Sequence, residues 1–516
     1  MAFTVSFIAY TLLIVAIGVY SARYAKGSDE DYFLAGRSLG PWVAALSASA
    51  SSESGWVTLG LVGIGFTTGF SAYWIVPGCV LGFIFNWFIV AGRMRDHAWS
   101  VRALTIPDFF AHTFNERRPV LRIVSVIVIL TAMWLYVGAQ FSAAGEAFAA
   151  AFTGIEYWVG VVLGTLIVLA YTVLGGFRAA CWTDFIQGLM MVGTLVVFPL
   201  YLVTTQHGFG FISESLATAD PELTRWMPEF TGDFWVFAMI GFLLSSGALG
   251  INFGYPGQPH VLVRFMALRE RNDAVVGGFV SATWALLVLS GAITIGMIVR
   301  ALMIQAGDAP DEQWLASLSH QIAAGAGDAG ENGLVLAAKN LIPGVISGMV
   351  LAAVLAAICS TADSQLVVAA SSAANDIYSR LIDHSAHRAH MLVNRLTVFA
   401  LGLGAFLLVV WRENIAVFDF VLTYGWAVLG ASFGPQVILI LLWKRASYAG
   451  CVAGMITGFA VALIWPNIYT AEVVERTSIN IYNLPLAFIL ALIVNVIVSS
   501  LVPGPSDNNK NQQTHM

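Results

Sequence analysis

Long apolar runs separated by short polar stretches repeat along the whole chain. About thirteen of them reach the ~20 residues that a helix needs to cross a bilayer. They fall at 3–22, 41–66, 71–92, 121–151, 157–175, 181–204, 234–255, 275–303, 334–378, 392–411, 416–442, 448–466 and 482–502. The short alternating segments of a membrane β-barrel do not occur. The pattern predicts an all-α polytopic membrane protein. The 334–378 run is too long for one straight span, so it predicts a full helix followed by an amphipathic continuation near Asn375-Asp376-Ile377-Tyr378. The first run lacks a basic leader and a small-residue cleavage site, and reads as an uncleaved helix.

Composition agrees. The 516 residues are 58% hydrophobic and only 10% charged, with a mean hydropathy of +0.79, which excludes an ordinary soluble protein. The 49 glycines suit helices that pack closely inside lipid. Cys79, Cys181, Cys359 and Cys451 are scattered through apolar segments, without metal-ligand spacing, and read as packing residues.

The net charge of -6 becomes informative only when the charges are placed. With the N-terminus outside and alternating loops, only Arg225, Arg300, Lys339, Arg412 and Arg476 of the 24 basic residues face out. The others, Arg178 and Arg264 among them, face the cytoplasm, as the positive-inside rule requires. This favours an odd number of spans and a cytoplasmic C-terminus. One transmembrane domain is expected over 1–504, followed by a disordered tail over 505–516. No GxxxxGK[ST] loop, attached soluble domain or nucleophile–base pair is present, so neither nucleotide hydrolysis nor enzymatic catalysis is expected, and no cofactor.

Polar groups at membrane depth then carry the chemistry. An ionised side chain near the bilayer centre costs roughly 2.5–3.5 kcal/mol on insertion scales unless it faces a cavity or a partner. The run Cys359-Ser360-Thr361-Ala362-Asp363-Ser364-Gln365 places three hydroxyls and a carboxylate there. The second span carries Ser47-Ala48-Ser49-Ala50-Ser51-Ser52-Glu53-Ser54-Gly55-Trp56. Serines compete for backbone hydrogen bonds and Gly weakens the helix, so a local break is expected, with carbonyls freed for a small cation. Close packing of small residues is the alternative, but it leaves Glu53 unexplained. Ser360, Thr361 and Ser364 offer neutral oxygens and Asp363 a charge, which suits Na⁺.

Three further constellations stand out. Thr183, Asp184 and Gln187 lie within one helical turn, with Asp184 either part of an ion site or paired with nearby Arg178. Span seven ends in Asn252-Phe253-Gly254-Tyr255-Pro256-Gly257-Gln258-Pro259-His260, where Gly and Pro break the helix beside aromatics. That break suits an organic solute, with Tyr255 as a wall and Asn252 or Gln258 as hydrogen-bond partner; a plain helix terminus is the alternative. His260 is expected to face the cytoplasm, and His384, His387 and His390 to lie in a solvated loop. Tyr136 and Gln140 share a face of span four at i, i+4.

Together these residues resemble the sodium:solute symporter family, most closely its sodium/proline branch. The resemblance rests on Asp31-Tyr32-Phe33-Leu34-Ala35-Gly36-Arg37-Ser38-Leu39-Gly40-Pro41, Ser54-Gly55-Trp56 and Leu104-Thr105-Ile106-Pro107-Asp108-Phe109-Phe110. It continues through Gly175-Gly176-Phe177, Trp182-Thr183-Asp184, Gly257-Gln258-Pro259-His260, Arg264-Phe265-Met266-Ala267 and Ser360-Thr361. It implies thirteen helices built on a leucine-transporter-type core of two inverted five-helix repeats, about 41–204 and 234–442. It implies a sodium site made by backbone oxygens of Ala50, Glu53 and Ala357 with the hydroxyls of Ser360 and Thr361. It implies a second ion site or exit path at Asp184 with Ser364, to which the residue reading adds Asp363. Solute contacts would come from Ser54, Gly55, Trp56, Tyr136, Tyr255 and Pro259, with Ser52, Gln140, Asn252 and Gln258 added as candidates. One departure is plain: the branch has an aspartate where this chain has Ser52, and its carboxylates are displaced to Glu53 and Asp363.

The expectation is a multi-pass symporter of a bacterial plasma membrane, importing Na⁺ with a small solute such as proline, without nucleic-acid partners. Proton-coupled uptake of a small carboxylate through Glu53 or Asp363 is the first rival. A transporter-like sensor is the second.

Overall fold

A computed structural model describes residues 2–21, 29–205, 208–230, 235–307, 313–323, 330–382, 387–412, 416–470 and 481–502. The tail, His384, Arg23, Lys26, Arg476 and Lys510 lie outside the described residues, as do parts of the 208–233 and 306–331 loops. The described chain is almost wholly helical, and its β pairing is a single bridge between Leu39 and Leu268. Nine helical stretches among the described residues are long and apolar enough to cross a membrane.

The helices used below are α1 (Ala2–Ser21), α2 (Pro41–Ser52), α3 (Leu61–Thr68), α4 (Ile75–Ile84), α5 (Ile106–Thr113) and α6 (Val120–Ala151). Then follow α7 (Tyr157–Val192), α8 (Trp235–Leu243), α9 (Pro259–Met266), α10 (Asp273–Ala306) and α11 (Gly344–Ser371). The last four are α12 (His387–Trp411), α13 (Ala427–Leu442), α14 (Tyr448–Ile468) and α15 (Asn483–Leu501). Spans five and six run together in α7, with a kink at Gly176 (φ 65°, ψ -178°), a backbone that side chains rarely adopt.

Two predicted boundaries move. Span seven does not end at His260: the chain breaks after Leu243, turns through Leu249–Gly257 and resumes as α9. Pro259 sits in the first turn of α9, where its missing N–H is no loss, so this proline starts a helix rather than ending one. The 334–378 run splits at Ile342-Pro343 into a short helix, Gly333–Leu341, and α11, which continues as a wider helix over Ser372–Ile382.

α11 is the hub. It packs against α1, α2, α6, α7 and α12, and nearly every residue from Val350 to Ser371 is buried. Packing is close because small residues let backbones approach. A methyl group added at Gly254 would lie 1.9 Å from Nε1 of Trp426.

At one end of the bundle a polar cluster ties α5 to α6 and to the end of α11. Thr105 caps α5 by accepting the Asp108 N–H at 3.1 Å and donates to Asp376 at 2.6 Å. Arg122 donates to both Asp108 (2.6 Å) and Asp376, and Asn375 donates to Asp108 at 3.0 Å. Burial pushes the Asp108 carboxyl up, but Arg122, His112 and Arg380 outweigh it and hold it below its ordinary 3.8. A carboxylate so depressed stabilises the fold above pH 3.8, and that contribution is lost as pH falls through the depressed value. Asp108→Asn is therefore expected to lower the melting temperature of the purified protein at pH 7, with the gap to the parent narrowing below pH 3.8. A gap that stays constant down to about pH 3 would contradict this linkage.

Candidate functional site

Two interrupted helices meet at mid-bundle. α2 stops at Ser52; Glu53 leaves helical geometry (φ -100°, ψ 76°), and a wide helical turn restarts at Trp56 and leads into α3. The freed backbone groups find side-chain partners. Gln140 of α6 accepts the Gly55 N–H at 3.0 Å, and Trp56 Nε1 donates to the Ser52 carbonyl at 3.1 Å. At the second break, Gln258 Nε2 donates to the carbonyls of Gly254 and Trp426, both at 3.1 Å. Trp426 Nε1 in turn donates to Ile251 O at 3.0 Å, and Asn86 to Tyr255 O at 2.8 Å.

The end of α2 faces α11 through oxygens. Ser360 Oγ lies 2.9 Å from Ala50 O and 3.0 Å from Ala357 O. Thr361 Oγ1 lies 3.0 Å from Ser51 O. Both hydroxyls and the α2 carbonyls they meet belong to fully buried residues. The carbonyl end of a helix is also its negative pole, so five neutral oxygens gather where a cation is favoured.

Beyond the break, Glu53 turns its carboxylate to Tyr255, whose hydroxyl donates to Oε1 at 2.7 Å. Glu53 Oε2 has no hydrogen-bond partner among the described residues. Aromatic rings enclose this region: Tyr255 lies 4.9 Å from Phe83 and 4.8 Å from Trp426 between centroids, and Trp56 lies 6.0 Å from Phe418.

A second polar centre joins α2 to α7, α9 and α11. Arg264 of α9 is completely buried and donates through Nη2 to Asp184 (2.7 Å), Ser51 (2.8 Å) and Ser364 (2.6 Å). Its Nε donates to Ser47 at 2.7 Å and its Nη1 to the His260 carbonyl. Ser47 also donates to Asp184 at 2.7 Å.

Several expectations need correction. Asp184 pairs with Arg264; Arg178 instead donates to Ala35 O at 2.7 Å and lies 3.7 Å from Asp31. Arg264, counted with the cytoplasmic charges, and His260, expected there too, are both fully buried, with His260 packed edge-on to Tyr136. Both misplacements follow from ending span seven too early. The other residues fall as follows. Ala50, Ala357, Ser360 and Thr361 come together, and Glu53 adjoins them by its place in the break. Trp56, Tyr136, Tyr255 and Pro259 are buried in the central bundle with Ser54, Gly55 and Gln140. The Ser52 hydroxyl folds back to Ala48 O at 3.0 Å. Asn252 is only partly buried, and Asp363 is buried beside Ser364. Ser47, Ser51 and Arg264 were missed as a group. Their signal was the i, i+4 spacing of the two serines on the face of a mid-membrane helix.

The sodium:solute symporter family model matches residues 32–458. The sodium/proline symporter of Staphylococcus aureus (strain JH9) is 32% identical over 509 residues, covering 96% of this chain and 92% of that protein. The protein of the same description from strain JH1 matches equally. Among solved structures, a Na⁺-coupled sialic acid symporter in a substrate-bound outward-open state aligns over 98% of both chains, with a TM-score of 0.74 and 21% identity. That likeness shows the fold, a helical core of the leucine-transporter type.

Gln140→Leu removes the acceptor of a buried N–H at the break and is expected to cost about 1–3 kcal/mol of stability. Denaturant or thermal unfolding of the purified variant measures this. Unchanged stability would mean that Gly55 finds another acceptor.

Proposed function

The chain belongs to the sodium:solute symporter family, and from that membership we propose that it imports a small organic solute together with Na⁺, the solute being proline or a related amino acid. The observation that carries the reading is the meeting of Ser360 and Thr361 with the carbonyl end of broken α2. In this proposal Na⁺ takes the backbone oxygens of Ala50, Glu53 and Ala357 and the hydroxyls of Ser360 and Thr361. Each hydroxyl would turn its hydrogen away from its carbonyl and present a lone pair, which suits a hard monovalent cation.

Such an ion bridges α2 and α11, two elements that must separate for the site to open elsewhere. It favours whichever arrangement holds all its ligands, so binding shifts the population towards the solute-competent state. Entry of one charge down the membrane potential supplies about 2.3 kcal/mol per 100 mV. The solute would lie at the breaks, against Trp56, Tyr136, Tyr255 and Pro259, with Ser54, Gly55 and Gln140 at its polar side. A zwitterion fits there: an ammonium over aromatic faces is worth about 0.5–2 kcal/mol. The proline assignment draws on the name of the 32% identical relative. The basic-residue distribution supports a plasma-membrane protein with its N-terminus outside.

Thr361→Ala removes one ligand and is expected to raise the sodium concentration for half-maximal proline uptake by about tenfold or more, a loss of ~1.4 kcal/mol, with surface expression unchanged. Unaltered sodium activation in that variant would sink the assignment.

Glu53 favours a second reading, proton coupling, because its carboxylate is fully buried and, among the described residues, accepts a hydrogen bond from the Tyr255 hydroxyl. Uptake into sodium-free vesicles driven by an inward pH step, abolished by Glu53→Gln, would establish it; uptake that needs sodium at every pH gradient would remove it.

A further inference from the structure

Arg264 has no place in the sodium site or the solute region, yet its charge is fully enclosed in the central bundle. Its five hydrogen bonds all go to oxygen, at Ser47, Ser51, Ser364, Asp184 and the His260 carbonyl, and its guanidinium lies 5.6 Å from the centroid of the Phe177 ring. Those oxygens come from four elements, α2, α7, α9 and α11. The hydroxyls also bond one another and the carboxylate: Ser47 and Ser51 reach Asp184 Oδ2 at 2.7 and 3.2 Å, and Ser51 and Ser364 lie 3.1 Å apart.

Without the guanidinium, one carboxylate oxygen and three hydroxyls would converge on one buried point. That is the donor set of a hard monovalent cation site: oxygen only, one formal charge, several neutral ligands. A guanidinium meets the same electrostatic need permanently, since it stays protonated in proteins, and its planar donors match several oxygens at once. A free ion entering the same oxygens would meet a fixed positive charge at hydrogen-bond distance.

We infer that Arg264 is a tethered cation that fills the oxygen site around Asp184, so that this transporter binds one sodium, at Ser360 and Thr361, rather than two. The inference rests on the sodium-coupled reading above. Arg264 is thus a stoichiometry-setting residue. The filled site also stays connected to the exchangeable one, because Ser51 gives its hydroxyl to Arg264 and its carbonyl to Thr361.

Sodium itself is the probe, so the solute need not be known. Binding of ²²Na⁺ to the purified full chain is expected to saturate at one ion in the parent and in Arg264→Lys, and at two in Arg264→Gln. Arg264→Gln should also become more stable to heat in sodium than in choline, by a margin larger than the parent shows, because an ion that binds only the folded state stabilises it. Where Arg264→Gln does not fold, Asp184→Asn decides: the parent count of one ion and an affinity within about threefold are expected. Two ions on the parent, one ion on a folded Arg264→Gln, or an ion lost with Asp184→Asn would each overturn the inference. A parent that binds no sodium at all would instead overturn the sodium-coupled reading.

Discussion

Inside a bilayer every backbone N–H and C=O needs a partner within the protein, and the two broken helices make that requirement acute. An unbroken helix meets it alone; α2 and the turn before α9 do not. The missing partners are supplied by side chains from elsewhere. Gln140 serves Gly55, Asn86 serves Tyr255, Gln258 serves Gly254 and Trp426, and Ser360 and Thr361 serve Ala50 and Ser51. The bundle is thereby stitched at its breaks by Gln140 of α6, Asn86 just after α4, Trp426 just before α13, and Ser360 and Thr361 of α11. Carbonyls left to side-chain hydroxyls are also the ones an ion can borrow, because a hydroxyl turns at little cost whereas a helical N–H does not.

Helical breaks leave a local trace, and that is why much of the site was legible before any fold was known. Ser and Gly crowd Ser47 to Gly55, and Gly and Pro crowd Gly254 to Pro259. Gln140 stands out as an amide in an apolar helix. What could not be read is partnership across the chain. Asp184 and Arg264 are 80 residues apart, whereas Arg178 is close in sequence. Sequence distance favours the wrong partner because α7 kinks at Gly176, and Arg178, just past it, turns to Ala35 and Asp31. Nor does a hydropathy pattern tell that Pro259 begins a helix. Proline marks a boundary in both readings; only the fold shows on which side the helix lies.

Charge is handled differently at the two depths. At the end of the bundle, Arg122 is shared by Asp108 and Asp376 with Thr105 and Asn375 in support, and His112 and Arg380 add positive charge beside Asp108. At mid-bundle, one arginine meets one aspartate and three hydroxyls, with no exposure at all. Removing one member of a buried pair costs about 3–5 kcal/mol, much of it the charge left behind. Both clusters are therefore rigid unless a cation or a proton takes over from the missing partner.

The arrangement around Ser51 constrains how the parts can move. Its carbonyl is held by Thr361, its hydroxyl by Arg264 and Ser364, so α2 cannot leave α11 without releasing both networks. In the proposed site, an ion at Thr361 would replace the first link with a bridge of its own between α2 and α11, while Arg264 would keep the second. The consequence is a joint with one switchable and one constant half. On the proposed reading, separation would be governed by whether the exchangeable site is filled, and the constant half would set the position to which α2 returns. A carboxylate site left to a second free ion would lack that reference, because both halves would empty together. Fixing one cation in covalent form would thus keep the two broken helices in register while the single ion of the proposal comes and goes.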